Sequence, residues 1–123
     1  MKVAVCAQDN HIDARVDPRF GRCPYFIVVD LDSGDWEGVQ NTGTQSSGGA
    51  GVQTAQLLVN RGVNVVLVDR IGPNAMEVLG RAGIQVYGGI NGTVSQSLEA
   101  YRQGRLTLLS RANSPSHGGM GRG

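Results

Sequence analysis

Charge of either sign is scarce: only 17% of the 123 residues are Asp, Glu, Lys or Arg, and they leave a net charge of +1. That balance gives no basis for nucleic acid or an anionic membrane as partner, so any positive field must be local. Long apolar runs are missing as well, and none approaches the ~18 residues of a membrane span. The opening run, Lys2-Val3-Ala4-Val5-Cys6-Ala7, is too short for a signal sequence and has no separate cleavage region. Cysteine is limited to Cys6 and Cys23, whose spacing matches no zinc pattern. Two thiols without an export signal point to a reducing cytoplasm, which argues against a disulfide between them. A P-loop, a serine elbow and a Gly-rich dinucleotide fingerprint are also absent.

Glycine is abundant instead, with 19 of 123 residues against an average of roughly 7%. Some of these glycines end helices; the rest mark places of close backbone approach. Two prolines, a glycine, Arg19, Arg22, Cys23 and three aromatics crowd into Asp17-Pro18-Arg19-Phe20-Gly21-Arg22-Cys23-Pro24-Tyr25-Phe26. The proline rings fix φ and push the residue before each towards extended backbone. The stretch reads as a stiff loop that holds Arg19 and Arg22 near its tip, suited to an anion.

In chain order, Val3 to Ala7 reads as a buried strand, β1. Tyr25 to Leu31 is aromatic and β-branched, a second strand, β2, and Trp36 to Gln40 closes a hairpin as β3. A helix, α1, runs from about Gly49 to Arg61, with Val52, Ala55 and Val59 on one face and Gly62 at its end. Val63 to Val68 is a strand covered on both faces, β4. Pro73 opens α2, which Gly83 ends, and Ile84 to Tyr87 forms β5. Thr93 can cap α3 with Gln96 as capping-box partner, and Val94, Leu98 and Tyr101 share a face. Arg105 to Leu109 is either a short strand or an extended arm. The order predicts an α/β protein with a mixed five-stranded sheet, a single domain over 1–109 and a flexible glycine-rich tail over 110–123.

Ligands of such a sheet bind outside the carboxyl ends of its parallel strands. Helix starts reach that rim, each with unpaired N–H groups and about half a positive charge. Small residues leave the starts open at Ser47-Gly48-Gly49-Ala50-Gly51, Gly72-Pro73-Asn74 and Gly89-Ile90-Asn91-Gly92-Thr93. Arg15, Arg19, Arg22 and Arg70 lie in the same loops, and Phe20, Ile71, Ile90 and Met1 add apolar surface. Gly21 belongs to the same loop as Arg19. This mixture predicts a pocket for a large, soft, poorly hydrated anion, for which arginine is the suited cation.

Cys23 is the best inner-sphere metal ligand, since soft thiolates suit copper and iron-sulfur chemistry. Cys6 falls within β1 and reads as core. His11 lies in the first loop, and His117 and Met120 lie in the tail, where His117 is a second, weaker candidate ligand. A nuclease would need carboxylates holding two metals. The rim offers Asp9, Asp13, Asp17 and Asp69, but none comes from the middle of β1 and Asp17 sits among arginines. Two functions follow from the residues: a binder of an anionic ligand, or an interaction or regulatory module that takes an acidic or phosphorylated partner.

Val3-Ala4-Val5, the stretch from Asp17 to Phe26, Gly48-Gly49-Ala50-Gly51 and Gly88-Gly89-Ile90 together resemble the dinitrogenase iron-molybdenum-cofactor biosynthesis accessory family, over about residues 1–109. Within it the chain is most similar to the small stand-alone members of anaerobes. The resemblance implies a ribonuclease-H-like fold and non-catalytic binding of a metal-sulfur cluster. That cluster would be of the molybdenum-copper sulfide type held without covalent ligands, with an iron-molybdenum or iron-sulfur cluster as the alternative. It also implies MinD-type P-loop ATPases as partners. Nitrogenase-linked members often carry histidine just before the Phe-Gly pair, where this chain has Arg19. A permanently protonated arginine is no metal ligand, which favours outer-sphere docking of a thiometalate.

Overall fold

A computed structural model describes residues 1–45 and 49–114. The elements run β1 (Lys2–Ala7), β2 (Tyr25–Asp30), β3 (Trp36–Gln40), a 3-10 turn (Thr42–Gln45), α1 (Ala50–Asn60), β4 (Val65–Val68), α2 (Pro73–Arg81), β5 (Gln85–Gly88), α3 (Val94–Arg102) and β6 (Thr107–Leu108). They form one mixed sheet of order β3-β2-β1-β4-β5-β6. Strands β1, β4 and β5 are parallel, and β2, β3 and β6 are antiparallel to their neighbours.

The expected α/β class holds, but the sheet has a sixth strand. Thr107 and Leu108 pair with Gly88 and Tyr87, which settles the arm after α3 as an edge strand. It is only two residues long, too short for an apolar period to show in the sequence.

The central strands are apolar on both faces because both are covered. On one side Leu58 of α1 and Leu79 of α2 pack on Ala4, Phe26, Val66 and Val86. On the other, Val94 and Leu98 of α3 pack on Val3, Val5, Ile27, Val65 and Leu67. Leu58, Leu79 and Val66 are fully enclosed, so Leu58→Ala or Leu79→Ala would cost about 2–5 kcal/mol.

The buried stripe of α1 is Ala50, Thr54, Ala55 and Leu58 rather than Val52, Ala55 and Val59. The first turn of the helix approaches the loop at Gly21 through Ala50 and Gly51. Gly62 and Gly83 follow α1 and α2 with φ of 72° and 77°, the left-handed conformation that closes a helix. In α3 the buried residues are Val94, Ser97 and Leu98, with Tyr101 half-buried against Tyr87 at 5.1 Å between ring centres.

Residues 110–114, which the sequence assigns to the tail, fold back on the loop after β4. The Asn113 side chain accepts from Ile71 N and donates to Asp69 O, both at 2.8 Å. The remainder of the expected tail, from 115 onward, is outside the described residues.

Candidate anion site at the carboxyl edge of the sheet

The predicted rim divides into two halves with different fates. On the α3 side the first loop closes over the helix start. Val94 N donates to Ala14 O at 2.9 Å and Ser95 N to Ile12 O at 3.1 Å. Thr93 Oγ1 accepts from Gln96 N, and Gln96 Oε1 accepts from Thr93 N, completing the expected capping box. Arg15 bridges Thr93 through the backbone, and the Asn91 carbonyl accepts from the Ser97 hydroxyl at 3.2 Å. The donors of this helix start are therefore already used within the fold, and Ile90 is buried, while the Arg15 and Asn91 side chains are exposed. A capped helix start and an open one are physically exclusive, and here the cap wins.

The other half is not capped in this way among the described residues. Neither α1 nor α2 has a side-chain cap: Gly49 precedes the first with φ of 79°, and Gly72 precedes the second in extended backbone. The two starts lie side by side, since a methyl at Gly51 would sit 3.4 Å from Ala75 Cβ. Above them the loops after β1 and β4 meet in a backbone bridge between Arg19 and Arg70. Arg19, Arg22 and Arg70 are all exposed, as is Asn74 on the first turn of α2. Ser47 and Gly48, also predicted here, lie outside the described residues.

Gly21 brings the arginine loop onto α1. A methyl there would meet Gly51 N at 2.7 Å and Gly51 Cα at 2.9 Å, so only glycine lets the backbones touch. Arg19 is oriented by Asp17, whose carboxylate is 1% exposed. Asp17 Oδ1 accepts from Arg19 N at 2.9 Å and Nε at 3.0 Å, and Oδ2 accepts from Nη2 at 2.9 Å. Burial alone would raise the Asp17 carboxyl, but these bonds and the guanidinium charge outweigh it and hold it below the usual range. Two of the five guanidinium donors are spent on this fork; the side chain is still 63% exposed, so the rest face outward.

The predicted apolar surface is not at the rim. Phe20, Ile71 and Ile90 are buried core residues, and Phe20 meets Phe26 edge-on at 5.8 Å. Met1 lies at the opposite edge, its amino group 2.7 Å from Asp32 Oδ2. His11 packs against Trp36 at 5.9 Å between ring centres, away from the arginines.

Cys23 is fully buried and donates to Phe20 O at 3.3 Å; Cys6 Sγ lies 3.9 Å from the same oxygen. Both thiols are free, and burial, with the Cys23 thiol next to it, pushes Cys6 well above its ordinary 9.0. Cys23 is therefore a core thiol beneath the loop and not a ligand facing the rim. His117 is outside the described residues. Among the described residues no group of three His, Cys, Asp or Glu could hold a metal ion. A surface cavity of about 210 Å³ lies at the far edge between Lys2, Val28, Asp30, Asp35, Trp36 and Glu37, where the carboxylates would repel an anion.

Two polar residues escaped the sequence reading. Asn41 and Thr54 are 3% and 0% exposed and bond to each other beneath the arginine loop. Their only sequence signal is polarity beside apolar runs, which every surface residue shares.

The fold is that of a ribonuclease-H-like α/β protein in which, among the described residues, the start of α3 is capped and those of α1 and α2 are not. Residues 1–104 match the family model described as dinitrogenase iron-molybdenum cofactor, and the chain belongs to that family. The apo form of the orange protein from Desulfovibrio gigas superposes with a TM-score of 0.89 at 36% identity, over 92% of this chain and 96% of that one. A NifB-like protein of the DUF35 family from Thermotoga gives a TM-score of 0.81 at 35% identity, over 92% and 97% of the two chains. An uncharacterized protein from Methanocaldococcus jannaschii is 32% identical over 109 residues, 86% of this chain and 89% of that one.

Proposed function

We propose that this protein binds and carries an anionic metal-sulfur cluster, of the molybdenum-copper sulfide type, without transforming it. One observation carries the reading: two helix starts without side-chain caps lie side by side beneath the bridge that joins Arg19 to Arg70. Backbone amides and guanidiniums together favour an anion. Among the described residues at this edge the thiols are buried and the exposed donors are guanidiniums and amides, so the cargo would be held by charge and hydrogen bonds. The family model, described as dinitrogenase iron-molybdenum cofactor, supports a metal-cluster cargo, and the sequence resemblance supports the molybdenum-copper type, with MinD-type ATPases as partners of such a carrier in the cytoplasm of an anaerobe.

The test is anaerobic reconstitution with tetrathiomolybdate and copper(I), followed by desalting. Visible absorbance that co-elutes with the protein, with molybdenum, copper and sulfide in fixed ratio, is the expected result. A colourless protein after desalting would overturn the reading and favour a module that docks an acidic or phosphorylated partner.

A further inference from the structure

We propose that Asn41 and Thr54 are positioning residues that fix the distance between the arginine loop and the start of α1; the inference rests on the anion-site reading above. A buried amide and a buried hydroxyl are costly unless each is bonded. Here the bonds join three separate segments. Asn41 Nδ2 donates to Cys23 O at 2.8 Å, and Asn41 N donates to Pro24 O at 2.9 Å. Asn41 Oδ1 accepts from Gly43 N and from Thr54 Oγ1, both at 3.0 Å. The Thr54 hydroxyl also lies 3.5 Å from Gly21 O.

The asparagine thus grips the end of the arginine loop, the 3-10 turn and the second turn of α1 at once. Gly43 allows this closeness, since a methyl there would lie 2.7 Å from Thr54 Oγ1. The residues of this latch, Asn41, Gly43 and Thr54, are all buried. Its effect on an anion is indirect: it holds Gly21 against Gly51 and so sets how far the guanidiniums stand from the amides of α1. A site ordered before binding loses less on binding than one that must be assembled.

Thr54→Val keeps the shape and removes the hydroxyl, while Thr54→Ser keeps the hydroxyl. Amide hydrogen exchange is the first measurement, because Arg22 N and Cys23 N both donate to Arg19 O within the loop. Thr54→Val should speed exchange at Arg22 and Cys23 about tenfold, the factor that roughly one lost hydrogen bond supplies. Exchange at Val66 in β4 should stay as in the wild type, and Thr54→Ser should restore the loop.

The second measurement is titration with tetrathiomolybdate and copper(I), where Thr54→Val should bind about tenfold more weakly and Thr54→Ser as the wild type. Asn41→Ala should move both readouts in the same direction. Unchanged exchange in Thr54→Val, or an equal rise at Val66, would overturn the positioning role. A wild-type protein that takes up no cluster would overturn the cargo reading alone, and the exchange data would still decide the latch.

Discussion

Gly21 and Gly51 touch through their backbones: a methyl on the first would stand 2.7 Å from the amide nitrogen of the second. Gly21→Ala should therefore force the arginine loop off α1. The expected cost is about 1–3 kcal/mol, in the range for overpacking a tight contact. Urea denaturation checks the stability, and faster trypsin cleavage after Arg19 or Arg22 checks that the loop has lifted.

Arg70→Gln tests the site more cleanly than Arg19→Ala. Removing the Arg19 guanidinium would also leave the buried Asp17 carboxylate without its charged partner. Arg70 is exposed and makes no ion pair among the described residues. The variant should retain the reconstituted cluster about tenfold less well, as for one lost charge-assisted bond. Its melting temperature should be unchanged. Arg102→Gln, on exposed α3 surface, should retain it like the wild type. Equal retention in the two variants would remove Arg70 from the site.

The division of the rim predicts that one helix start matters for stability and not for cargo. Thr93→Ala breaks the capping box of α3 and should cost about 1 kcal/mol. Cluster retention, measured at a temperature where the variant is folded, should match the wild type. A loss of retention would show that the α3 half belongs to the site after all.

Acid should weaken the arginine loop through Asp17. The carboxyl is held below its ordinary 3.8 in the folded state. Its stabilising contribution is therefore complete above that pH and is lost as pH falls through the lower folded value. Thermal melts across this range should show an acid limb that is shallower in Asp17→Asn. An identical limb in the variant would assign acid sensitivity to other carboxylates.

Much of the fold was legible because the signals are local. The Val3-Ala4-Val5 run, the hairpin ending at Trp36–Gln40, Pro73 at the start of α2 and the Thr93–Gln96 box each act within a few residues. The site was less legible because its side chains are sorted by distant contacts. Phe20 and Ile71 sit in loops beside arginines, and only the packing of Phe26 and α2 on the same core shows that they turn inward. Cys23 is hidden for the same reason. Asn41 and Thr54 find partners up to 33 residues away, which no periodicity encodes.

Asn113 binds the loop after β4 as a neighbouring strand would, offering one acceptor to Ile71 and one donor to Asp69. Truncation at Leu109 is therefore not neutral. It strips four bonds from the backbone that leads into Gly72, and it frees Arg70 from a segment pinned on its far side. A shortened protein and a full-length one should not be treated as interchangeable in cargo measurements.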